Sequence, residues 1–113
     1  MGTRTQARRW IVVLAALVMF AGCGQSQEIP RDPAEKAARA QELIDQGNTA
    51  YTAGDYRLAA RRYAAAAVVR KDDPAAYYGM AMALQKLGRD EDARQAYARA
   101  RELMQQKREN PAR

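Results

Sequence analysis

The sequence predicts an all-α domain built from two copies of a helix–turn–helix unit, packed as a short solenoid. The segments GDYRLAARRYAAAA and GRDEDARQAYARAR begin at Gly54 and Gly88 and carry glycine, alanine, tyrosine and alanine at the same spacing, 34 residues apart. A fixed period of this size is typical of repeat proteins. Apolar residues also recur at steps of three and four along four segments, as they do on one face of a helix.

Four helices are predicted from the residues that begin and end them. Asp32-Pro33-Ala34 and Asp73-Pro74-Ala75 each combine an N-cap aspartate with proline at the first helical position. Gly54 and Gly88 stand where helices should end, because glycine adopts the left-handed C′ conformation without steric cost. The predicted helices are 33–53, 55–71, 74–87 and 90–108.

Residues 1–22 are predicted to be a secretion signal rather than part of this domain. They contain Arg4, Arg8 and Arg9, no acidic residue, and the apolar run WIVVLAALVMFA. Twelve helical residues span about 18 Å, short of the roughly 30 Å of a bilayer core, which favours a cleaved signal over a spanning helix. The alternative is a buried helix or an uncleaved anchor.

Cys23, the only cysteine of the chain, follows this run directly in the sequence FAGC. A single cysteine can form no internal disulfide. FAGC resembles the bacterial lipoprotein signal, in which cleavage between Gly22 and Cys23 frees a cysteine that carries covalent lipid. The resemblance implies a lipid-anchored envelope protein with no other cofactor, and Gly24 favours the outer membrane, facing the periplasm, over the inner membrane. A cysteine placed there by chance is the alternative.

The rest of the chain divides into a tether, a helical domain and a tail. Residues 23–32 hold the lipidated cysteine and a polar, flexible tether. Residues 33–108 form the repeat domain, with repeats at about 40–73 and 74–107, and residues 109–113 form the tail. The first helix overhangs its repeat by two turns, and we expect this overhang to cover the edge of the first repeat.

The net charge gives little support for nucleic-acid binding. The chain carries 19 basic and 13 acidic side chains, and loss of the three arginines in residues 1–22 leaves 16 basic against 13 acidic. The basic pI therefore comes partly from the signal. Binding of anionic lipid or nucleic acid by a basic surface on the second and fourth helices is the least favoured hypothesis. The arginines expected to face water there are Arg57, Arg61, Arg62, Arg94 and Arg99.

Side chains and motifs of common catalytic sites are missing from the sequence. The chain has no histidine, no Gly-rich phosphate loop and no Gly-x-Ser-x-Gly motif. Asp72-Asp73 and Asp90-Glu91-Asp92 fall at predicted helix N-termini, where the helix dipole favours carboxylates. We interpret them as caps, and we predict no metal site and no enzymatic activity.

The two repeats resemble the tetratricopeptide repeat. Residues 47–56, GNTAYTAGDY, together with the alanines and tyrosine that follow, match that family's pattern, and the match returns 34 residues on. Small residues are expected where helices approach most closely, with tyrosines filling the spaces between those contacts. The predicted packing residues are Gly47, Gly54, Ala59, Tyr63, Ala66, Ala81, Gly88, Ala93, Tyr97 and Ala100.

The resemblance also implies where a partner binds, because the first helix of each tetratricopeptide repeat lines a concave groove. The predicted groove residues are Gln41, Ile44, Asn48, Tyr51, Tyr78, Met82, Gln85 and Lys86. Their aromatic and apolar members suit a helical or extended peptide. The resulting prediction is an adaptor that binds another envelope protein, for example during pilus, secretion or outer-membrane assembly.

The alternative is a passive structural lipoprotein, in which these side chains pack on the overhang or stand singly exposed. Two repeats are also few for a stable array. We therefore expect stabilisation by a partner, or by self-association through the fourth helix.

Overall fold

The computed structural model describes residues 28–112, which form four helices and, within that range, no strand. The all-α class is confirmed, and every boundary lies within two residues of its predicted position. The predicted signal, Cys23 and residues 24–27 of the tether lie outside the described residues. The helices are α1 (Pro33–Thr52), α2 (Tyr56–Val69), α3 (Pro74–Lys86) and α4 (Asp90–Glu109).

Aspartate side chains cap the first three helices. Asp32 and Asp73 accept hydrogen bonds from the backbone N–H groups two residues on, at 2.9 and 3.0 Å. Asp55 accepts from the N–H of Leu58 at 3.0 Å, a third cap that the sequence pattern did not predict. Each such cap stabilises its helix by about 1 kcal/mol.

The acidic cluster before the fourth helix does not cap it. α4 begins at Asp90 without a side-chain cap hydrogen bond, so Asp90, Glu91 and Asp92 all lie in its first turn. Interpreting these three residues as caps is therefore wrong in detail, although carboxylates in a first turn still interact favourably with the helix dipole. Asp72 lies before the cap of α3 and forms an ion pair with Arg70 at 3.7 Å.

The turns within the two hairpins have the predicted chemistry. Gly54 has φ +80° and Gly88 has φ +75°, the left-handed region that favours glycine. Each glycine reverses the chain between the two helices of its repeat, so α1 packs on α2 and α3 packs on α4. α3 also packs on both α1 and α2, whereas α4 packs closely on α3 alone among the described helices.

The core is built mainly from alanine, which lets the helices approach closely. Its buried members include Ala59, Ala66, Ala81, Ala93 and Ala100, five of the residues predicted to pack between helices. The first repeat and the N-terminal two-thirds of α3 share one hydrophobic cluster, in which Tyr63 is the only large side chain that is fully buried. This cluster fixes α3 against α1, the two helices predicted to carry the groove.

Candidate functional site

Tyr63 lies at the junction of α1, α2 and α3 and is only 1% exposed. A Cβ atom added at Gly47 of α1 would lie 2.7 Å from Tyr63 Cε1, and one added at Gly79 of α3 would lie 2.5 Å from Tyr63 Cδ1. Both distances are far shorter than a van der Waals contact, so the ring occupies the space that a side chain would take at either glycine. The ring thereby sets the spacing between α1 and α3.

The Tyr63 hydroxyl also contacts Asn48, a residue of the predicted groove. It donates a hydrogen bond to Asn48 Oδ1 at 2.6 Å. Burial raises the pKa of Tyr63 above its ordinary value, with a smaller contribution from Tyr51. The hydroxyl therefore stays protonated at neutral pH and orients Asn48, whose amide N–H groups remain available to an acceptor on a partner.

The structure places the four predicted groove residues of α1 in three environments. Gln41 and Asn48 are exposed, and Gln41 Nε2 donates to Asp45 Oδ1 at 2.9 Å. Tyr51 is half-buried and packs edge-to-face on Tyr56, with ring centroids 5.2 Å apart. Ile44, expected to line the groove, is instead 6% exposed. It belongs to the core cluster that α3 covers, so α1 offers a partner mostly polar groups.

The predicted residues of α3 form a more apolar surface, which we call the α3 strip and define as Tyr78, Met82 and Gln85. Tyr78 is 50% exposed and packs edge-to-face on Tyr97, with centroids 5.5 Å apart. Met82 is half-buried, one turn further along. Gln85 Oε1 accepts a hydrogen bond from the Tyr97 hydroxyl at 3.2 Å. Tyr97 therefore holds both ends of the strip in place.

Lys86 lies apart from the α3 strip. Its Nζ is 6.0 Å from the ring centroid of Tyr56, at the turn between α1 and α2. A cation at this distance over a partly exposed ring contributes roughly 0.5–1 kcal/mol. Lys86 therefore connects the end of α3 to the first hairpin rather than standing free in the groove.

Tyr97 differs from the expectation that it fills an enclosed space as Tyr63 does. It is half-buried, because no described helix follows α4 to cover it in the way that α3 covers Tyr63. Tyr78, which lies 34 residues after the buried Ile44, is exposed for the same reason. Where the first repeat has Ala60 and Ala67 beside its tyrosine, the second repeat has arginines, which keep the end of the domain solvated.

Gly79 is a packing residue that the 34-residue pattern missed. The residue 34 positions earlier is Asp45, which is exposed on α1, so the repeat gives no sign of a close contact. The available signal is a glycine inside an otherwise apolar helical run, which usually has a packing reason. Asp45 also shows that the side of α1 that no described helix covers is polar.

The described residues offer no other recognisable chemistry. No group of three or more His, Cys, Asp or Glu within residues 28–112 is arranged to hold a metal ion. None of the helices described in the structure is long and apolar enough to cross a membrane. Surface carboxylates such as Asp92, which lies 2.6 Å from Arg89, instead form ion pairs that contribute at most about 1 kcal/mol each.

Comparison with known proteins agrees with the repeat geometry. The family model described as tetratricopeptide repeat matches residues 44–111, which contain the C-terminal part of α1 and all of α2, α3 and α4. No curated protein and no solved structure gives a match to the chain. The match spans more than half of the chain, and the two hairpins repeat the same packing between glycine turns. The chain belongs to the tetratricopeptide repeat family.

Proposed function

We propose that the chain is a lipid-anchored adaptor of the bacterial cell envelope that binds a partner protein through the α3 strip and the neighbouring polar side of α1. Tetratricopeptide repeats generally mediate protein–protein interaction and are typically non-enzymatic. The observation that carries the proposal is the half-exposed ring of Tyr78, held at a fixed angle by Tyr97.

The side chains of this face suit a peptide segment. Tyr78 offers a large apolar area that loses little conformational entropy on binding, because its ring is already positioned. Met82 adapts to irregular apolar surfaces. Asn48 and Gln85 supply amide groups that can pair with backbone N–H and C=O groups of a bound segment. A helical or extended peptide of a partner protein fits this combination.

The anchor part of the proposal rests on FAGC and on the position of Cys23 just before a polar tether. Two or more acyl chains hold a protein stably at a membrane, whereas one chain gives only marginal binding. The tether of residues 24–31 reaches at most about 28 Å when fully extended. Such a protein works close to the bilayer, and by resemblance to the lipoprotein sorting signal Gly24 favours the outer membrane.

Replacing Cys23 with serine is expected to abolish lipid attachment and release the chain from the membrane, because the thiol is the only group at that position that can accept the diacylglycerol. Metabolic labelling with a palmitate analogue, followed by membrane fractionation, measures both effects. Tyr78→Ala serves as the control and should be labelled as strongly as wild type. Equal labelling of wild type and Cys23→Ser would contradict the anchor.

Truncation of the α3 strip is expected to weaken binding of one specific partner by tenfold or more, since central aromatic residues of an interface typically contribute about 2 kcal/mol. Co-purification from crosslinked membranes should compare wild type with Tyr78→Ala and Met82→Ala. Met104→Ala is the matched control, because Met104 is an exposed methionine on α4 outside the strip. Unchanged co-purification with all three variants would favour the passive structural lipoprotein.

A further inference from the structure

A second groove lies on the side of α3 opposite to the α3 strip, and we call it the arginine groove. α2 and α4 form its walls and α3 forms its floor, and its volume is about 800 Å³. α3 contributes Tyr77, Met80 and Leu84 to it, and Leu87, the C-cap residue of α3, adds a fourth apolar side chain. At 100° per residue these positions point almost directly away from Tyr78 and Met82. The groove is therefore separate from the face used in the proposed function.

The floor of the arginine groove is apolar along its length. Ala60 and Ala64 of α2 and Ala96 of α4 continue the apolar surface that α3 provides. α2 and α4 do not pack on each other, so small side chains on both walls leave Tyr77 and Met80 of α3 partly exposed between them, whereas Leu84 is buried. Leu87 at one end is 38% exposed. A gap of this kind between two helices is elongated, so it suits a rod-shaped ligand.

The rim of the groove is strongly basic, with Arg57, Arg61, Arg89 and Arg99 against Asp92 as the one acidic lining residue. Two of these arginines are already paired. Arg89 lies 2.6 Å from Asp92, and Arg99 lies 2.9 Å from Glu102 while its guanidinium carbon is 5.9 Å from the Tyr77 ring centroid. The rim therefore has a positive charge that its own carboxylate does not balance.

Arg57 and Arg61 carry this unbalanced charge. Neither forms an ion pair or a hydrogen bond with any residue in the described range. They stand one helical turn apart on α2, where two like charges repel each other and slightly destabilise the helix. A carboxylate placed between them would remove that repulsion.

We propose that the arginine groove binds an acidic amphipathic helix of a partner protein. The apolar side of that helix lies on the floor, and its carboxylates pair with Arg57 and Arg61. The floor from Tyr77 to Leu87 is about 15 Å long, which equals nearly three turns of helix. Charge-assisted pairs between guanidinium and carboxylate are among the stronger polar contacts in proteins.

Other occupants fit these features less well. A flat bilayer cannot reach a floor that lies between two helices. An apolar floor offers no favourable contact to the phosphates of a nucleic acid. Residues 1–22 of the chain itself are basic and would be repelled by the rim. In a second copy, the exposed large apolar side chains of the described helices are Val68, Tyr78 and Met104. None of them has a carboxylate one turn away on its own helix, so a second copy offers no acidic apolar helix face.

The test uses the full-length chain in detergent and a synthetic helical peptide of about 14 residues, with leucine on one face and glutamate on both flanks. Fluorescence anisotropy should show binding to wild type that weakens with salt. In the double variant Arg57→Glu/Arg61→Glu, we expect the affinity to fall at least tenfold. Arg62→Glu is the matched control, since Arg62 is exposed on the same helix but outside the groove, and it should bind as wild type does.

A charge-swapped peptide completes the design. The same peptide with lysine in place of glutamate should bind the double variant and not wild type, which shows that the double variant is folded. Equal binding of the acidic peptide to wild type and the double variant would overturn the proposal, as would equal loss in Arg62→Glu. The proposal is also overturned if the acidic peptide does not bind and the double variant instead abolishes self-association or binding to phosphatidylglycerol vesicles.

Discussion

Replacing Gly79 with alanine is expected to destabilise the domain by about 2 kcal/mol, although alanine ordinarily favours a helix over glycine by about 1 kcal/mol. The new Cβ would lie 2.5 Å from Cδ1 of Tyr63. Because that ring is enclosed and also borders Gly47, it has no space into which to withdraw. A loss of this size lowers Tm by roughly 8–16 °C in a domain of this length, as thermal unfolding followed by circular dichroism would measure.

The cause can be isolated by repeating the change beside a smaller side chain. In a Tyr63→Val background the ring atoms that clash with the new Cβ, Cδ1 and Cε1, have no counterpart, so Gly79→Ala should cost much less there than in wild type. The difference between the two costs is the coupling energy of the pair. An increase in Tm for Gly79→Ala in the wild-type background would contradict the close approach of α3 to Tyr63.

Replacing Tyr63 with alanine is expected to have the largest effect on stability, a loss of about 3–5 kcal/mol. The change leaves a cavity at the junction of three helices, and alanine-rich neighbours have few side-chain atoms with which to fill it. A domain of this size is stabilised by only about 4–12 kcal/mol in total, so a large part of its stability disappears. Urea denaturation of wild type and variant, compared at constant slope, gives the change in the free energy of unfolding.

Two matched variants show which part of Tyr63 matters. Tyr63→Phe removes only the hydrogen bond to Asn48 and should cost about 0.5–1.5 kcal/mol. Tyr97→Ala removes the equivalent ring of the second repeat, which is half-buried, and should cost clearly less than Tyr63→Ala. Equal losses for the two alanine variants would show that the second repeat is covered as fully as the first, contrary to the structure.

Local signals explain why the fold could be predicted from the sequence. Asp32-Pro33 and Asp73-Pro74 begin helices, and Gly54 and Gly88 end them, through interactions within a few residues of chain. These interactions do not depend on distant contacts, so the helix boundaries follow closely from the pattern. The 34-residue offset then relates the two hairpins and identifies five of the eleven alanines that are buried in the described residues.

The burial of individual site residues could not be predicted in the same way, because it depends on what lies beside them in space. Ile44 and Tyr78 occupy equivalent positions, yet Ile44 is buried under α3 and Tyr78 is half-exposed. The same asymmetry separates Tyr63 from Tyr97. A periodic sequence assigns equivalent positions equal roles, whereas among the described residues no helix covers the second repeat as α3 covers the first.

The arginines of α2 show a second limit of sequence patterns. Arg57 and Arg61 were expected simply to face water, since a single helix shows only which side is polar. Their place beside an apolar floor arises because α2 and α4 stand apart with α3 between them. A groove formed by three helices becomes visible only when their packing is known.

Photo-crosslinking from the α3 strip most directly tests whether a lipid-anchored chain uses this face to bind a partner. A photoreactive residue placed at Met82 of the full-length chain, expressed with Cys23 intact in its native host, should give one discrete adduct with another envelope protein. The adduct should disappear when Tyr78→Ala is added, and it should not form when the photoreactive residue replaces Arg62. Failure to form any adduct from Met82, or the same adducts from both positions, would contradict partner binding at the α3 strip.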